Sequence, residues 1–146
     1  MKLLCLWLML IGLTLITKDS EGQVRPTPPE VTSAFTKMFP DAGNVMWRNK
    51  ITNFCIYFNI KDIKCEAKFG PDGKWLSTEK SIQWDSLPPF VTDSLRSGKY
   101  ADWKKTSAYI LRSAAGTTQY HVVVTNNDLG RKILFFNEDG QLLSDH

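Results

Sequence analysis

Phe69-Gly70-Pro71-Asp72-Gly73-Lys74-Trp75-Leu76 and Phe136-Asn137-Glu138-Asp139-Gly140-Gln141-Leu142-Leu143 align without a gap around an Asp-Gly turn, sharing the Phe, Asp, Gly and final Leu. In each, an aromatic residue closes one apolar run and a second run opens just past the glycine. Asp-Gly between strand-like runs is a strong hairpin signal, because glycine supplies the positive φ that a tight turn needs. The stretches are offset by 67 residues. A second pair of signals lies upstream of them. Thr27-Pro28-Pro29-Glu30 and Leu87-Pro88-Pro89-Phe90-Val91 both read as helix starts, with an offset of 60, so the second copy carries insertions. One pattern, a helix followed by an antiparallel meander, is therefore expected twice.

The first helix has Thr27 as candidate cap, Pro28 at the first helical position and Glu30 completing a capping box. Its apolar residues Val31, Ala34, Phe35, Met38 and Phe39 recur at helical spacing, and Pro40-Asp41-Ala42-Gly43 ends it. The second is weaker, since Leu87 is a poor cap and Gly98 interrupts it between Leu95 and Tyr100. Four strands follow each helix: Val45-Asn49, Phe54-Ile60, Lys64-Phe69 and Trp75-Glu79, then Ser107-Arg112, Gln119-Asn126, Arg131-Phe136 and Gln141-Leu143. Turn signals at Lys61-Asp62 and Asn126-Asn127-Asp128 separate further runs. The fold class expected is α+β, with two tandem helix plus four-stranded meander repeats over 23–85 and 86–146. Their helices should pack on one face of the sheet.

Residues 1–22 stand apart. Lys2 precedes an apolar run from Leu3 to Ile16, too short for a bilayer span of about 20 residues but of signal-peptide length. Ser20 and Gly22 fit a small-residue cleavage pattern that would leave Gln23 first. An uncleaved anchor is the alternative. Cys5 lies inside the run, so it does not read as a lipid-attachment cysteine. Removal of the segment takes two basic and two acidic residues, so the formal charge stays at +3, too small to suggest nucleic-acid binding. With 42% hydrophobic and 23% charged residues the chain reads as globular and not disordered.

The order and spacing of particular residues resemble the PepSY-like family of exported bacterial proteins, whose fold is similar to the β-lactamase inhibitor protein. The matching features are a Pro-led helix ending in Phe39-Pro40, Trp47 in the first strand, and the alternation Phe54-x-Ile56-x-Phe58. The Phe69-to-Gly73 turn running into Lys74-Trp75-Leu76-Ser77-Thr78-Glu79 completes the set. The match is strongest from Pro28 to Pro89; in the second half Tyr100-Ala101-Asp102 stands where a Phe-Pro would be. The resemblance implies a periplasmic or secreted location and a ligand-binding or inhibitor-like role, but no partner. A shared fold alone does not establish inhibition.

Alternation then assigns faces. Phe54, Ile56, Phe58, Cys65, Ala67 and Phe69 should meet the helices, as should Tyr120, Val122, Val124, Leu134 and Phe136. Lys64, Glu66 and Lys68 form an ordinary charged surface on the other face. In the second half that face carries His121, Val123 and Thr125 beside Ile133 and Phe135, an unusual apolar patch next to a histidine. Tyr57, His121, Val123, Ile133 and Phe135 are therefore the candidate surface for docking a protein or peptide. The competing readings are cover by loops or the N-terminal tail, or burial in a homodimer of a self-associating envelope protein.

Catalytic chemistry has little to work with. Beyond residue 22 the only histidines are His121 and the terminal His146, expected to fray, and no Gly-x-Ser-x-Gly elbow or phosphate loop occurs. No metal-ligand spacing occurs, and Asp72 and Asp139 sit beside glycine for turn reasons. No cofactor, metal, catalytic residue or enzymatic activity is expected. A two-residue turn at Lys61-Asp62 pairs Cys55 with Lys68 and Cys65 with Phe58. The thiols then lie on opposite faces, outside bridging distance.

Overall fold

Two prolines in succession decide where each helix begins. A residue before proline is pushed out of the helical region, and Pro28 and Pro88 accordingly sit at ψ 145° and 146° as caps. Pro29 and Pro89 then take the first helical positions, where a missing N–H costs nothing. In the computed structural model, which describes residues 26–127 and 130–146, helix α1 spans Pro29–Met38 and α2 spans Pro89–Ser97. The capping box expected at Thr27 does not form. The helix starts one residue later, and the Thr27 hydroxyl donates to Asn49 Oδ1 at 3.3 Å instead. Gly98 does not interrupt α2 but ends it, as its C-cap. Residues 1–22, read as an export signal, lie outside the described residues.

The strands are β1 (Gly43–Asn49), β2 (Phe54–Ile60), β3 (Ile63–Phe69), β4 (Trp75–Ile82), β5 (Lys104–Ser113), β6 (Thr118–Thr125), β7 (Arg131–Asn137) and β8 (Leu142–Asp145). They form one antiparallel sheet in the order β1 to β8, each strand paired with its neighbours in sequence. The pairing Cys55↔Lys68 and Phe58↔Cys65 is the register that the Lys61-Asp62 turn implies, and both cysteines are free. β4 and β5 run longer than their local patterns suggested. The extra β4 residues Lys80, Ser81 and Ile82 pair with Ile110, Tyr109 and Ala108 of β5, and the extra β5 residues Lys104 and Lys105 pair with Thr125 and Val124 of β6. A strand with a partner extends as far as its ladder does.

Both helices lie on one side. Val31 and Phe35 of α1 pack on Phe54, Ile56, Phe58, Cys65, Ala67 and Phe69. The Phe35 ring stands edge-on to Phe58 and Trp47 at centroid distances of 5.1 and 5.3 Å, a geometry aromatic rings favour. Val91 and Leu95 of α2 pack on Val122, Val124, Leu134 and Phe136, with Tyr100 and Ala108 beside them. Met38, expected in the apolar stripe, is 46% exposed because it stands at the end of α1, past the core.

The two matching turns prove to be packing devices. Gly73 (φ 77°) and Gly140 (φ 78°) each lie against the second residue of a helix. A β-carbon on Gly73 would come within 2.8 Å of the Glu30 carbonyl oxygen, and one on Gly140 closer still to that of Phe90. Gly116 has the same backbone conformation (φ 79°) with nothing within 4 Å. Alanine at Gly116 should thus show backbone strain alone, about 1 kcal/mol, whereas alanine at Gly73 or Gly140 should cost about 2–3 kcal/mol. Chemical denaturation of the three variants checks this; equal losses would remove the helix contact from the account.

The last strand is held by charge. Lys99 Nζ lies 2.6 Å from Asp145 Oδ2, and the Tyr100 hydroxyl donates to the same oxygen. These contacts, Lys99 first, lower the Asp145 pKa from 3.8 to about 2. A lowered folded-state value means that the contribution is complete above the unfolded value and lost as pH falls through the folded one. Between pH 4 and 2, amide exchange in β8 should therefore accelerate while that in β2 and β3 does not. Lys99→Gln should move the change to higher pH. Uniform acceleration across all strands would contradict this.

Candidate functional site

On the side without helices, residues sharing a row can be followed across the sheet by register. One row runs Met46, Tyr57, Glu66, Glu79, Leu111, Gln119; another runs Ser81, Tyr109, His121, Phe135, Ser144. Val123 and Ile133 are neighbours below the second row. All five residues singled out in the sequence, Tyr57, His121, Val123, Ile133 and Phe135, thus lie on this face. Four of them, on β6 and β7, are adjacent, and Tyr57 stands apart on β2.

The apolar patch is not open, however. His121 is 9% and Val123 6% exposed, and Ile133 and Phe135 are half-buried. The chain covers the patch itself. Glu79 reaches over β5, a strand-to-strand-to-strand span of about 10 Å, so that its Oε2 accepts from His121 Nδ1. The Phe135 ring lies 4.3 Å from the His121 ring and 5.5 Å from that of His146. His146 does not fray. Its N–H and carbonyl pair with Ile133 at 3.1 and 2.8 Å, continuing the β7–β8 ladder.

His121 is therefore a buried strut. Its Nε2 is out of contact with solvent and has no hydrogen-bond partner among the described residues. A base needs access to the proton it would take, and this nitrogen has none. The contact with Glu79 makes Nδ1 the hydrogen-bonding nitrogen of the ring. Among the described residues no three His, Cys, Asp or Glu side chains are grouped to hold a metal. Burial raises the pKa of the Cys55 and Cys65 thiols, so neither is a ready nucleophile.

What remains open is the middle of the sheet. A cavity of about 260 Å³ lies among Tyr57, Lys64, Glu66, Glu79 and Tyr109. Glu66 and Glu79 are directly opposed on β3 and β4. Two like charges so placed repel, and each has a partner: Lys68 Nζ lies 3.5 Å from Glu66, and His121 Nδ1 donates to Glu79. The Arg48 guanidinium stands over the Tyr57 ring at 5.5 Å. Two tyrosines thus flank two carboxylates in a setting that can accept N–H groups and stack against planar or apolar ones. Glu66 looked ordinary in the sequence, and Glu79 and Tyr109 were not singled out. The signal existed in the even spacing of Ser77, Glu79 and Ser81, but it acquires meaning only once β4 is paired with β5.

No protein-family model matches the chain, and no curated protein matches it. Solved structures do. A DUF2874 family protein from Bacteroides ovatus is 25% identical with a TM-score of 0.74, covering 84% of this chain and 88% of its own. A BLIP-like protein from Bacteroides fragilis is 24% identical with a TM-score of 0.70, covering 88% and 91%. A candidate periplasmic protein from Bacteroides eggerthii reaches a TM-score of 0.77 at 17% identity, covering 84% and 89%. These likenesses establish a BLIP-like α+β fold: one eight-stranded antiparallel sheet with two helices on one side.

Proposed function

We propose that this chain is an exported, non-enzymatic binding protein that docks a protein or peptide on the sheet face turned away from its helices. The observation that carries the reading is the central cavity, where Tyr57 and Tyr109 flank the opposed carboxylates of Glu66 and Glu79. Tyrosine-lined surfaces with a few placed polar groups supply the rigid anchors of protein interfaces. The docking centre accordingly moves from the self-covered patch at Val123 and Ile133 to the middle of the sheet, with Phe135 at its margin.

A periplasmic or secreted location accords with the apolar segment at 3–16 and with the candidate periplasmic neighbour. No helix among the described residues is long and apolar enough to cross a membrane. Membership of a PepSY-like family, and descent of the two halves from one unit, belong to the same proposal. The paired Pro-Pro helix starts and the paired glycine contacts support the repeat. An inhibitor-like role is the narrower version, suggested by the BLIP-like fold.

Mature protein should capture a partner from envelope extract, and Tyr57→Ala with Tyr109→Ala should weaken capture by roughly thirtyfold, as loss of interface anchors worth about 2 kcal/mol does. Phe90→Ser, on the exposed helix side, should leave capture intact. Capture indifferent to both tyrosines would refute the docking face. A concentration-dependent dimer abolished by the tyrosine pair would support the self-associating alternative.

A further inference from the structure

The helix side of the sheet has a gap at its centre. The core beneath α1 draws on Trp47, Phe58, Phe69 and Trp75, and the core beneath α2 on Ala108, Val122 and Leu134. Thr78, Lys80, Ile110 and Arg112 belong to neither core. They form two directly opposed pairs across the seam of β4 and β5, Thr78↔Arg112 and Lys80↔Ile110. The end of α1 adds Met38 and Phe39 on one bank, and with Trp75 these residues line a groove of about 250 Å³.

Two features separate this groove from ordinary wet surface. Its apolar wall is held in place, since the Trp75 indole N–H donates to Thr78 Oγ1 at 2.8 Å. Its two cations are unspent: among the described residues neither Lys80 nor Arg112 joins an ion pair, although Lys68, Lys74, Arg96 and Lys99 all do. An apolar trough with two unpaired cations set diagonally across the β4–β5 ladder, Lys80 opposite Ile110 and Arg112 opposite Thr78, is complementary to an anion that carries a hydrocarbon chain. Arginine's planar fork suits a carboxylate in particular. The volume is below the usual range of about 300–1,000 Å³ for drug-sized ligands. It thus suits one short alkyl chain and not the paired chains of a phospholipid.

We propose that the β4–β5 seam binds an amphiphilic carboxylate of the medium-chain fatty-acid class. Lys80 and Arg112 hold the head group, and Met38, Phe39, Trp75 and Ile110 contact the chain. The site is on the opposite side of the sheet from the tyrosine cavity and does not depend on it.

Decanoate is the probe, titrated below its aggregation threshold into isotope-labelled protein. Saturable chemical-shift changes should centre on Thr78, Lys80, Ile110, Arg112 and the Trp75 indole. The double variant Lys80→Gln/Arg112→Gln should bind at least about tenfold more weakly, having lost both charge-assisted contacts. Both side chains are exposed, so its thermal midpoint should match that of the parent. Decyltrimethylammonium, with the same chain and opposite charge, should not saturate. Absence of saturable shifts, shifts centred on Tyr57 and Tyr109, or equal affinity in the folded double variant would each overturn the proposal.

Discussion

Six residue pairs between β4 and β5, from Ser77↔Ser113 to Ile82↔Ala108, hold the two helix-bearing halves in one sheet. Each half has its own buried core, and side chains at the middle of the seam belong to neither. The junction therefore depends mainly on backbone hydrogen bonds, each contributing a net of about 0.5–1.5 kcal/mol. Without it, β4 and β5 would become unpaired edges, which natural sheets avoid exposing. Glu79 adds a side-chain tie by spanning β5 to reach His121 on β6. One carboxylate of the open face is thus also part of what joins the halves.

The same seam produces both candidate sites. On one side it brings Glu66 and Glu79 between Tyr57 and Tyr109; on the other it leaves Thr78, Lys80, Ile110 and Arg112 between the two helices. Neither set lies close together in the sequence, and neither exists in a single half. The distribution of charge follows from that geometry. Carboxylates on the open face have Lys68 and His121 as partners, whereas the cations of the groove join no ion pair among the described residues.

Local signals carried most of the architecture. The Phe54–Ile60 strand, the register of Cys55 and Cys65, and the helix-facing set Val122, Val124, Leu134 and Phe136 all follow from alternation and turn length, which operate over a few residues. The candidate surface was half legible. Tyr57, His121, Val123, Ile133 and Phe135 were assigned to the correct face, but the cover over His121 and Phe135 comes from Glu79 and His146, which arrive from two strands away and from the last residue. Alternation tells which way a side chain points and says nothing about what crosses over it. The helix start was displaced for a similar reason: Thr27 had the better cap chemistry, but the steric effect of Pro29 on Pro28 prevailed.

Hydrogen exchange of the β4 and β5 amides tests the single-sheet account most directly. Protection in the ladder from Ser77 to Ile82 and from Ala108 to Ser113 should approach that of the β2–β3 ladder and far exceed that of the edge strand β1. Exchange as fast as in β1 would mean two separate halves, and would contradict both the fold and the sites built on its seam.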